Sequence, residues 1–323
     1  MKNSGYLSKC SAETIQEAAV RLMAGHLVAF PTETVYGLGA DASNEAAVKR
    51  IYEVKGRPKN HPLIVHVSSI NALEIWATEI PNYAIALARA YWPGPMTLIL
   101  KRSRVAKDFL TGGQDSIGIR VPNDQIALDL LSRFENLGGI GIAAPSANRF
   151  GQVSPTSGMD VEEELGNFLF PNDLILDGGQ SMIGIESTII DCTDSLPIIL
   201  RAGAVTSDHV EELLRLTFKS SATSQTRFSG SFNKHYSPKC KIVLDEPPES
   251  GDAFLALSDV ITPPGVVRMG APNSELSFAR MLYSIFRAAD KQGFKKLVII
   301  QPQGRGISVA IRERLMKAAY NED

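Results

Sequence analysis

Basic side chains are grouped in one short stretch that is suited to binding phosphate. In "EVKGRPKNHP", Lys55 and Arg57 follow a helical pattern, Gly56 and Pro58 flank the arginine, and Lys59 comes next. A stiff turn of this kind presents a guanidinium fork to phosphate oxygens in a fixed orientation. Cations at the end of a helix also complement its dipole without any further role. The stretch alone favours neither interpretation.

Short polar side chains follow two apolar runs. Behind "HLVAF", the stretch "PTETVYGLGA" carries Thr32, Thr34 and Tyr36, and a second apolar run leads into "APSANRFGQVSPT" with Ser146 and Asn148. Open α/β sheets bind ligands at the carboxyl ends of their strands, so both stretches are candidate binding loops. Such side chains also often do no more than cap turns. A hydroxyl-rich turn can both satisfy its own backbone and bind a small polar molecule.

Three further residues stand beside apolar strands: Ser187 in "GIESTIID", Arg201 in "LRAGAV" and His66 in "LIVHV". Each is a weak signal, and a histidine within such a run is by default a core residue. The five histidines have no metal-ligand spacing, and no Ser-His-Asp or Cys-His set is evident. The sequence therefore gives no basis for a hydrolase.

Nucleotide-binding motifs are absent or unconvincing. The chain has no G-x-x-x-x-G-K-[ST], which excludes a P-loop at the level of motif. "GLGADA" and "GIGIAA" match the dinucleotide pattern only loosely. About twenty residues after the first, near Lys59, the chain is basic where a dinucleotide site needs an acid.

The order of apolar patterns predicts two α/β units. Helical patterns alternate with short β-branched runs through the first two hundred or so residues, which is typical of a mixed α/β domain. A stretch rich in Ser, Thr and Lys follows and ends in "HYSPK", and strand and helix patterns then resume with "KIVLD". We expect a first domain over residues 1–216, a linker over 217–240 and a smaller domain over 241–323.

Composition indicates an ordinary globular protein. The 323 residues carry 33 Lys and Arg against 35 Asp and Glu, so no overall positive charge points to nucleic acid. No apolar run is long enough to span a bilayer, and "MKNSGYLSKC" lacks the apolar segment of a signal peptide. Cys10, Cys192 and Cys240 suggest neither disulfides nor a zinc site. A cytoplasmic protein without membrane contact is the expectation.

Taken together and in order, several blocks resemble the threonylcarbamoyl-AMP synthase family in its long, two-domain form. The blocks are "PTETVYGLG", "KGRP", "HPLIVHV", "WPGPMTLIL", "IGIRVP", "APSANRFGQVSPT", "ESTIID", "LRAGAV" and "HYSPK". The closing "GRGISVAIRERLMKAA" is similar to the last helix of the family's accessory domain. The resemblance implies a catalytic domain built on a twisted mixed sheet, with a linker to a small Rossmann-like α/β domain.

The resemblance also implies a reaction. The family condenses L-threonine, bicarbonate and ATP into threonylcarbamoyl-AMP and pyrophosphate, with Mg2+ present. The product supplies the group for threonylcarbamoyladenosine at position 37 of tRNAs that read codons beginning with A. A nucleotidyltransferase that feeds a downstream threonylcarbamoyl-transferase machinery is thus implied, together with weak tRNA binding.

The resemblance assigns site residues position by position. Catalytic positions are occupied by Lys55, Arg57, Ser146 and Asn148. ATP-contacting positions are occupied by Arg57, His61, Ser116, Ser146, Ser154, Arg201, His235 and Tyr236. Positions lining the threonine pocket are occupied by Thr34, His66, Arg120, Ala144 and Ser187. Arg120 is chemically suited to bind the amino-acid carboxylate, and no ligands of a resident metal are assigned.

The sequence departs from the family pattern at two places, one in the linker and one in the first domain. His235 and Tyr236 resemble the segment that folds over the nucleotide as a lid against water. Ser229 and Gly230 stand where the family has Pro-Gly, which predicts a looser lid. His61 stands where the family has Asn, so an ATP contact or its pH response is expected to differ.

Two other functions stay open at this point. The same fold has a concave basic face, so a double-stranded RNA-binding module is one alternative. The near-neutral net charge argues against it. Carbamoyl transfer, as in hydrogenase-maturation proteins with a related domain, is the other. Those proteins add acylphosphatase-like and zinc-finger regions, and the sequence contains neither.

Overall fold

Two β-sheets organise the chain in the computed structural model, which describes residues 6–216, 226–228, 230, 232 and 235–320. Within these residues the first sheet is mixed and has ten strands, and the second is parallel and has four. The prediction of a mixed α/β domain followed by a smaller α/β unit is confirmed. The bounds set for the two domains and the linker stay a prediction. Ser229 lies outside the described residues.

The first sheet contains strands β1 to β10. Their bounds are β1 Leu7–Lys9, β2 Val28–Phe30, β3 Gly37–Asp41, β4 Ile64–His66, β5 Met96–Lys101, β6 Ser116–Arg120, β7 Ile142–Ala143, β8 Leu174–Asp177, β9 Thr188–Asp191 and β10 Ile198–Arg201. They are ordered β1-β8-β2-β3-β7-β4-β6-β5-β9-β10 across the sheet. Strands β4 and β6 are parallel, and their register puts His66 beside Arg120. These two predicted site residues are therefore neighbours.

Eight helices accompany this sheet in the described residues. They are α1 Ala12–Met23, α2 Glu45–Lys55, α3 Leu73–Trp76, α4 Asn82–Tyr91, α5 Asp108–Thr111, α6 Gln125–Asn136, α7 Gly158–Leu165 and α8 Ser207–Leu214. Helix α2 begins where the Asn44 side chain accepts a hydrogen bond from the Ala47 amide, and ends at Gly56, which has left-handed backbone angles. These ends fix the turn that presents Arg57.

The second sheet contains β11 Lys241–Leu244, β12 Ala253–Leu255, β13 Val267–Gly270 and β14 Lys296–Ile299, in the order β11-β14-β12-β13. Helices α9 Glu275–Lys291 and α10 Ile307–Ala319 pack with it. The core of this unit extends into the first one, because Val35, Val153 and Ile185 belong to the same cluster of buried side chains as Phe278 and Leu315. The two units thus share a hydrophobic interface.

Strand β3 is a correction to the sequence patterns. The patterns predict no strand over "GLGAD", yet it forms a central strand between β2 and β7. A Cβ on Gly39 would lie 2.8 Å from Ile142 Cγ2 and 2.9 Å from Phe30 Cε1. The glycine is required by close packing within the sheet.

None of the helices in the described ranges has the combined length and apolar character needed to cross a membrane.

Candidate active site

One small cavity brings the predicted threonine set together. All five of those residues line it, and so do four from the predicted ATP set. The first group is Thr34, His66, Arg120, Ala144 and Ser187, and the second is Ser146, Arg201, His235 and Tyr236. These residues come from seven separate segments of the chain. Their convergence on one cavity is what a binding site requires.

The hydroxyl-rich loop before β3 forms one wall of this cavity. Thr32 Oγ1 donates to the Val35 carbonyl at 2.7 Å and accepts from the Thr34 and Val35 amides at 3.2 Å. The Thr34 hydroxyl lies 2.8 Å from that of Thr32. Tyr36 donates to the Gly179 carbonyl at 2.8 Å. Thr32 therefore shapes the loop, and Thr34 presents its side chain to the cavity.

Arg120 is held by an acid that the sequence patterns did not single out. Its Nη2 donates to Glu33 Oε2 at 2.6 Å, and both side chains are buried. The Nε of Arg120 and the Oε1 of Glu33 have no hydrogen-bond partner in the protein. A guanidinium has five N–H donors, so this ion pair leaves donors for a carboxylate in the cavity. The acid in "PTETV" was visible, but nothing in its spacing indicated a partner.

His66 is neutral in this site. Burial, and then the nearby Arg120 charge, lower the pKa of His66 to about 3. Its ring meets Phe30 edge-on, with centroids 5.9 Å apart, and Nδ1 has no partner in the protein. A buried imidazole nitrogen without a partner can accept from, or donate to, a small ligand. The assignment of His66 to the threonine pocket stays a prediction.

Lys55 supports the loop that carries Ser146 and Asn148. Its Nζ donates to the carbonyls of both residues, at 2.6 and 2.5 Å, and the side chain is buried. Asn148 donates to the carbonyls of Arg149 and Gln152, and its Oδ1 has no partner. Burial and Arg57 lower the pKa of Lys55. Lys55 does not line the cavity itself, and its ammonium holds the loop that does.

Arg57 and His61 lie next to one another outside the cavity. Arg57 donates to the Pro62 carbonyl at 3.0 Å, its Nε has no partner, and burial lowers its pKa to about 10. The His61 ring stacks on Phe232 of the linker, with centroids 4.5 Å apart and planes 9° apart. Burial and Arg57 lower the pKa of His61 to about 4. His61 is therefore uncharged at neutral pH.

Ser116 lines a neighbouring cavity. That space is also bordered by Ile64, which lines the first cavity too, and by Arg227 and Phe228 of the linker. Arg227 is fixed there, because its Nη2 donates to the Gly112 carbonyl and its amide donates to Gln114 Oε1. The linker residues thus contact the region to which the resemblance assigns ATP.

Ser187 and Arg201 form a buried pair at the end of β10. Arg201 Nε donates to the Ser187 carbonyl at 3.0 Å, and its Nη2 donates to Ser187 Oγ at 3.2 Å. Ser187 Oγ also lies 2.8 Å from Thr97 Oγ1. Burial lowers the pKa of Arg201. The pair brings one guanidinium to the same cavity as Arg120.

Glu186 lines the cavity and is a second acid that the sequence patterns did not single out. Its Oε1 accepts from Ser154 Oγ at 2.6 Å, and its Oε2 accepts from Tyr283 at 2.9 Å and from Arg314 Nε at 3.0 Å. Burial alone raises a carboxyl pKa, but Arg314 and Arg201 outweigh it and lower the pKa of Glu186 to about 2. Ser154 therefore reaches the site through Glu186, and does not line the cavity.

His235 and Tyr236 cover the cavity from the linker side. Both are buried, and their ring centroids are 4.0 Å apart. Tyr236 has a φ of 62°, which a bulky residue rarely adopts. Gly230 permits this arrangement, since its φ is 88° and a Cβ there would lie 2.7 Å from Tyr236 Oη. These two rings therefore lie against the cavity, and the role of the linker as a lid stays a prediction.

Comparisons with known proteins decide the family. Residues 21–203 match the family described as "Telomere recombination", and residues 205–320 match "Threonylcarbamoyl-AMP synthase, C-terminal domain". The threonylcarbamoyl-AMP synthase of Pyrococcus abyssi is 36% identical over 95% of this chain and 96% of its own. This chain belongs to the threonylcarbamoyl-AMP synthase family. The family resemblance and the prediction of an enzyme are confirmed.

Two further members support the membership over both units. The threonylcarbamoyl-AMP synthase of Bacillus subtilis is 35% identical over 94% of this chain and 92% of its own. The crystal structure of P. abyssi Sua5 complexed with L-threonine has a TM-score of 0.85 to this chain at 35% identity, over 97% of this chain and 96% of the other. The threonylcarbamoyl-AMP synthase fold is thus present in both the catalytic and the small domain.

Proposed function

We propose that this chain condenses L-threonine, bicarbonate and ATP into threonylcarbamoyl-AMP and pyrophosphate. The observation that carries the proposal is the single cavity in which Arg120, Arg201 and His66 converge with the hydroxyls of Thr34 and Ser187. Family membership and the threonine complex of P. abyssi Sua5 support the same reaction. A small cavity lined by convergent polar side chains suits a small metabolite better than RNA.

Threonine is assigned to the end of the cavity near Arg120. The free donors of the guanidinium bind its carboxylate, and Glu33 on the far side keeps the guanidinium oriented. The hydroxyls of Thr34 and Ser187 and the unpartnered His66 nitrogen are suited to the amine and hydroxyl of the substrate. Ala144 leaves room, because its side chain is a single methyl group.

ATP is assigned to the side of Arg201, Ser146 and the linker. Arg57 and Arg201 supply positive charge there, and burial reduces the screening of each by water. Burial lowers the pKa of Arg57, and the nearby Arg201 charge lowers it further. A polyanion bound beside these buried cations stabilises their charged forms.

The proposed reaction has two steps, formation of a carbamate and transfer of AMP to it. The threonine amine attacks bicarbonate and forms a carbamate with loss of water. A carbamate oxygen then attacks the α-phosphorus of ATP in line, the bond to the bridging oxygen breaks, and pyrophosphate leaves. Fixed guanidinium groups stabilise the charge that develops on the phosphate oxygens, and the closed His235–Tyr236 cover excludes water from the mixed anhydride.

Mg2+ has no resident site in this arrangement. Among the residues that the structure describes, no group of three or more His, Cys, Asp or Glu side chains could hold a metal ion. The two acids at the site are engaged, Glu33 by Arg120 and Glu186 by Arg314. Mg2+ typically binds through substrate phosphates, so we propose that it enters on ATP.

The product's role follows from the family. We propose that a downstream threonylcarbamoyl-transferase machinery takes the adenylate to position 37 of tRNAs reading codons that begin with A. Weak tRNA binding by this chain and a cytoplasmic location belong to the same proposal.

Pyrophosphate release tests the proposed reaction. The purified protein is mixed with Mg-ATP, L-threonine and bicarbonate, and each component is omitted in turn. We expect release only when all are present, and little with L-serine in place of threonine. Release that is independent of threonine contradicts the proposal. No release, together with binding of structured RNA that weakens steeply with salt, supports the RNA-binding alternative instead.

A further inference from the structure

Side chains of the small domain hold one residue in the wall of the cavity, Glu186. Glu186 lies between β8 and β9 of the catalytic domain and lines the cavity directly. Two of its three side-chain partners, Tyr283 on α9 and Arg314 on α10, belong to the other domain. Both are fully buried, so the carboxylate is shielded from water on that side.

We propose that Arg314 and Tyr283 are positioning residues of the active site, acting through Glu186 on Ser154 and on the ATP end of the cavity. The contacts are hydrogen bonds, from Arg314 and Tyr283 to Oε2 at 3.0 and 2.9 Å and from Ser154 to Oε1 at 2.6 Å. Since Glu186 accepts on both oxygens, its rotamer is fixed, and the Ser154 hydroxyl is turned toward it. The inference rests on the proposed function in taking ATP as the ligand of this region.

The negative charge of Glu186 also affects the binding of an anionic nucleotide. An isolated carboxylate beside the proposed triphosphate position would repel the nucleotide. Arg314 neutralises Glu186 from behind, and Arg201 adds a further positive charge on the cavity side. Buried charges interact strongly, so loss of the Arg314 contact is expected to weaken anion binding in the cavity.

The same side chains support the cover. The Tyr283 ring stacks on Tyr236 with centroids 5.7 Å apart and planes 24° apart. The guanidinium carbon of Arg314 lies 5.7 Å from the centroid of Tyr236. Lys317, farther along α10, makes two contacts with the linker. Its carbonyl accepts from the His235 amide, and the Lys317 Nζ donates to the Gly230 carbonyl. Helix α10 therefore contacts both the wall and the cover of the site.

A simpler interpretation is that these contacts only hold the two domains together. Two variants of the full chain separate the interpretations. Tyr283→Phe removes one hydroxyl and keeps the ring that packs on Tyr236, and Arg314→Lys keeps the charge but loses the Nε donor. Arg268→Lys is the matched control. Arg268 lies within the small domain, donates to four backbone carbonyls and to the Thr262 hydroxyl, and has no contact with Glu186.

The experiment measures KM for ATP and kcat by pyrophosphate release, the ATP dissociation constant by calorimetry, and Tm for all proteins. We expect Tyr283→Phe to raise the KM and dissociation constant for ATP about tenfold, which matches one hydrogen bond to a charged group. Arg314→Lys should also raise both the KM and the dissociation constant for ATP. Arg268→Lys keeps wild-type values even where its Tm falls.

Two results overturn the inference. One is ATP affinity within about twofold of wild type in folded Tyr283→Phe, a difference smaller than a single hydrogen bond produces. The other is an equal rise in the Arg268→Lys control, which makes the effect structural. A wild-type protein that neither binds ATP nor releases pyrophosphate overturns the proposed function, and this inference with it. An active wild type with unaltered variants overturns the inference alone.

Discussion

Arg120 and Glu33 form a buried ion pair, 2.6 Å from nitrogen to oxygen, behind the cavity assigned to threonine. The pair sets which guanidinium donors face the cavity, because one Nη is already used on the far side. Glu33 is not among the side chains that line the cavity. It acts on the ligand only through Arg120.

Loss of the Glu33 acceptor is expected to weaken threonine binding. Glu33→Ala leaves Arg120 buried without its partner and free to turn, so KM for threonine rises about tenfold or more. Glu33→Gln retains an oxygen acceptor and stays closer to wild type. Steady-state pyrophosphate release at saturating ATP measures both.

The control for this prediction is Asp173→Ala. Asp173 is fully buried and pairs with Arg50 at 2.7 Å, away from the cavity. Its loss should lower Tm and leave the threonine KM unchanged. A Glu33→Ala enzyme with wild-type threonine KM would show that Arg120 is oriented without the acid.

Lys55→Met tests whether this lysine supports the loop or binds phosphate. The methionine fills similar space but leaves the Ser146 and Asn148 carbonyls unpaired, so we expect Tm to fall along with kcat. Lys49→Met, at an exposed position of the same helix, should alter neither. Loss of kcat with an unchanged Tm would contradict a loop-supporting role and indicate direct contact with the substrate.

Gly230→Ala should open the cover. The added methyl group meets Tyr236 Oη at 2.7 Å and also strains a backbone with φ of 88°. We expect a higher ATP KM and more hydrolysis of the adenylate to free AMP, measured by chromatography of the products. Gly251→Ala introduces similar strain at φ of 90° with nothing within 4 Å of the new Cβ. Equal effects of the two substitutions would count against the contact with Tyr236.

Buried histidines are expected to make the protein sensitive to acid. Burial lowers the pKa of both His66 and His235 to about 3, whereas unfolded histidine titrates near pH 6.5. The unfolded chain therefore takes up more protons below about pH 6.5, and stability falls as pH drops from there toward the folded values. Each histidine contributes up to about 1.4 kcal/mol per pH unit in that window.

Thermal unfolding between pH 4 and 8 measures this effect. Tm should be level above about pH 7 and fall below about pH 6. His66→Asn should have a lower Tm at neutral pH but a shallower decline in acid. A decline of unchanged slope in that variant would show that His66 takes up no additional proton on unfolding.

His61 should stay uncharged between pH 6 and 8, because its pKa is lowered to about 4. Its protonation therefore gives no reason for ATP affinity to change in that range.

The elements near the site could largely be predicted, because their signals are local. Helix α2 carries its start at Asn44 and its end at Gly56 in the sequence, and strands such as β4 are continuous apolar runs. Strand β3 was missed because its glycines lower strand propensity, and only the neighbouring Phe30 and Ile142 explain them. Local rules cannot detect a requirement that distant residues impose.

The sequence could predict those site residues that family motifs assign to a ligand. Motif matching placed five threonine-pocket residues on one cavity, but gave no indication of Glu33 or Glu186. Each is one acid among 35, and the partner Arg314 lies 128 positions from Glu186. Lys55 was assigned to a catalytic position, and its hydrogen bonds to the Ser146 and Asn148 carbonyls could not be read from the sequence. Charge and position in sequence do not reveal which groups a folded side chain meets.

A crystal structure of this protein with L-threonine and a nonhydrolysable ATP analogue would locate both substrates at once. We expect the threonine carboxylate within hydrogen-bonding distance of Arg120, its hydroxyl near Thr34 or Ser187, and the α-phosphate on the side of Arg201 and Ser146, under Tyr236. Threonine bound elsewhere, or a nucleotide whose α-phosphate lies outside this shared cavity, would contradict this expectation.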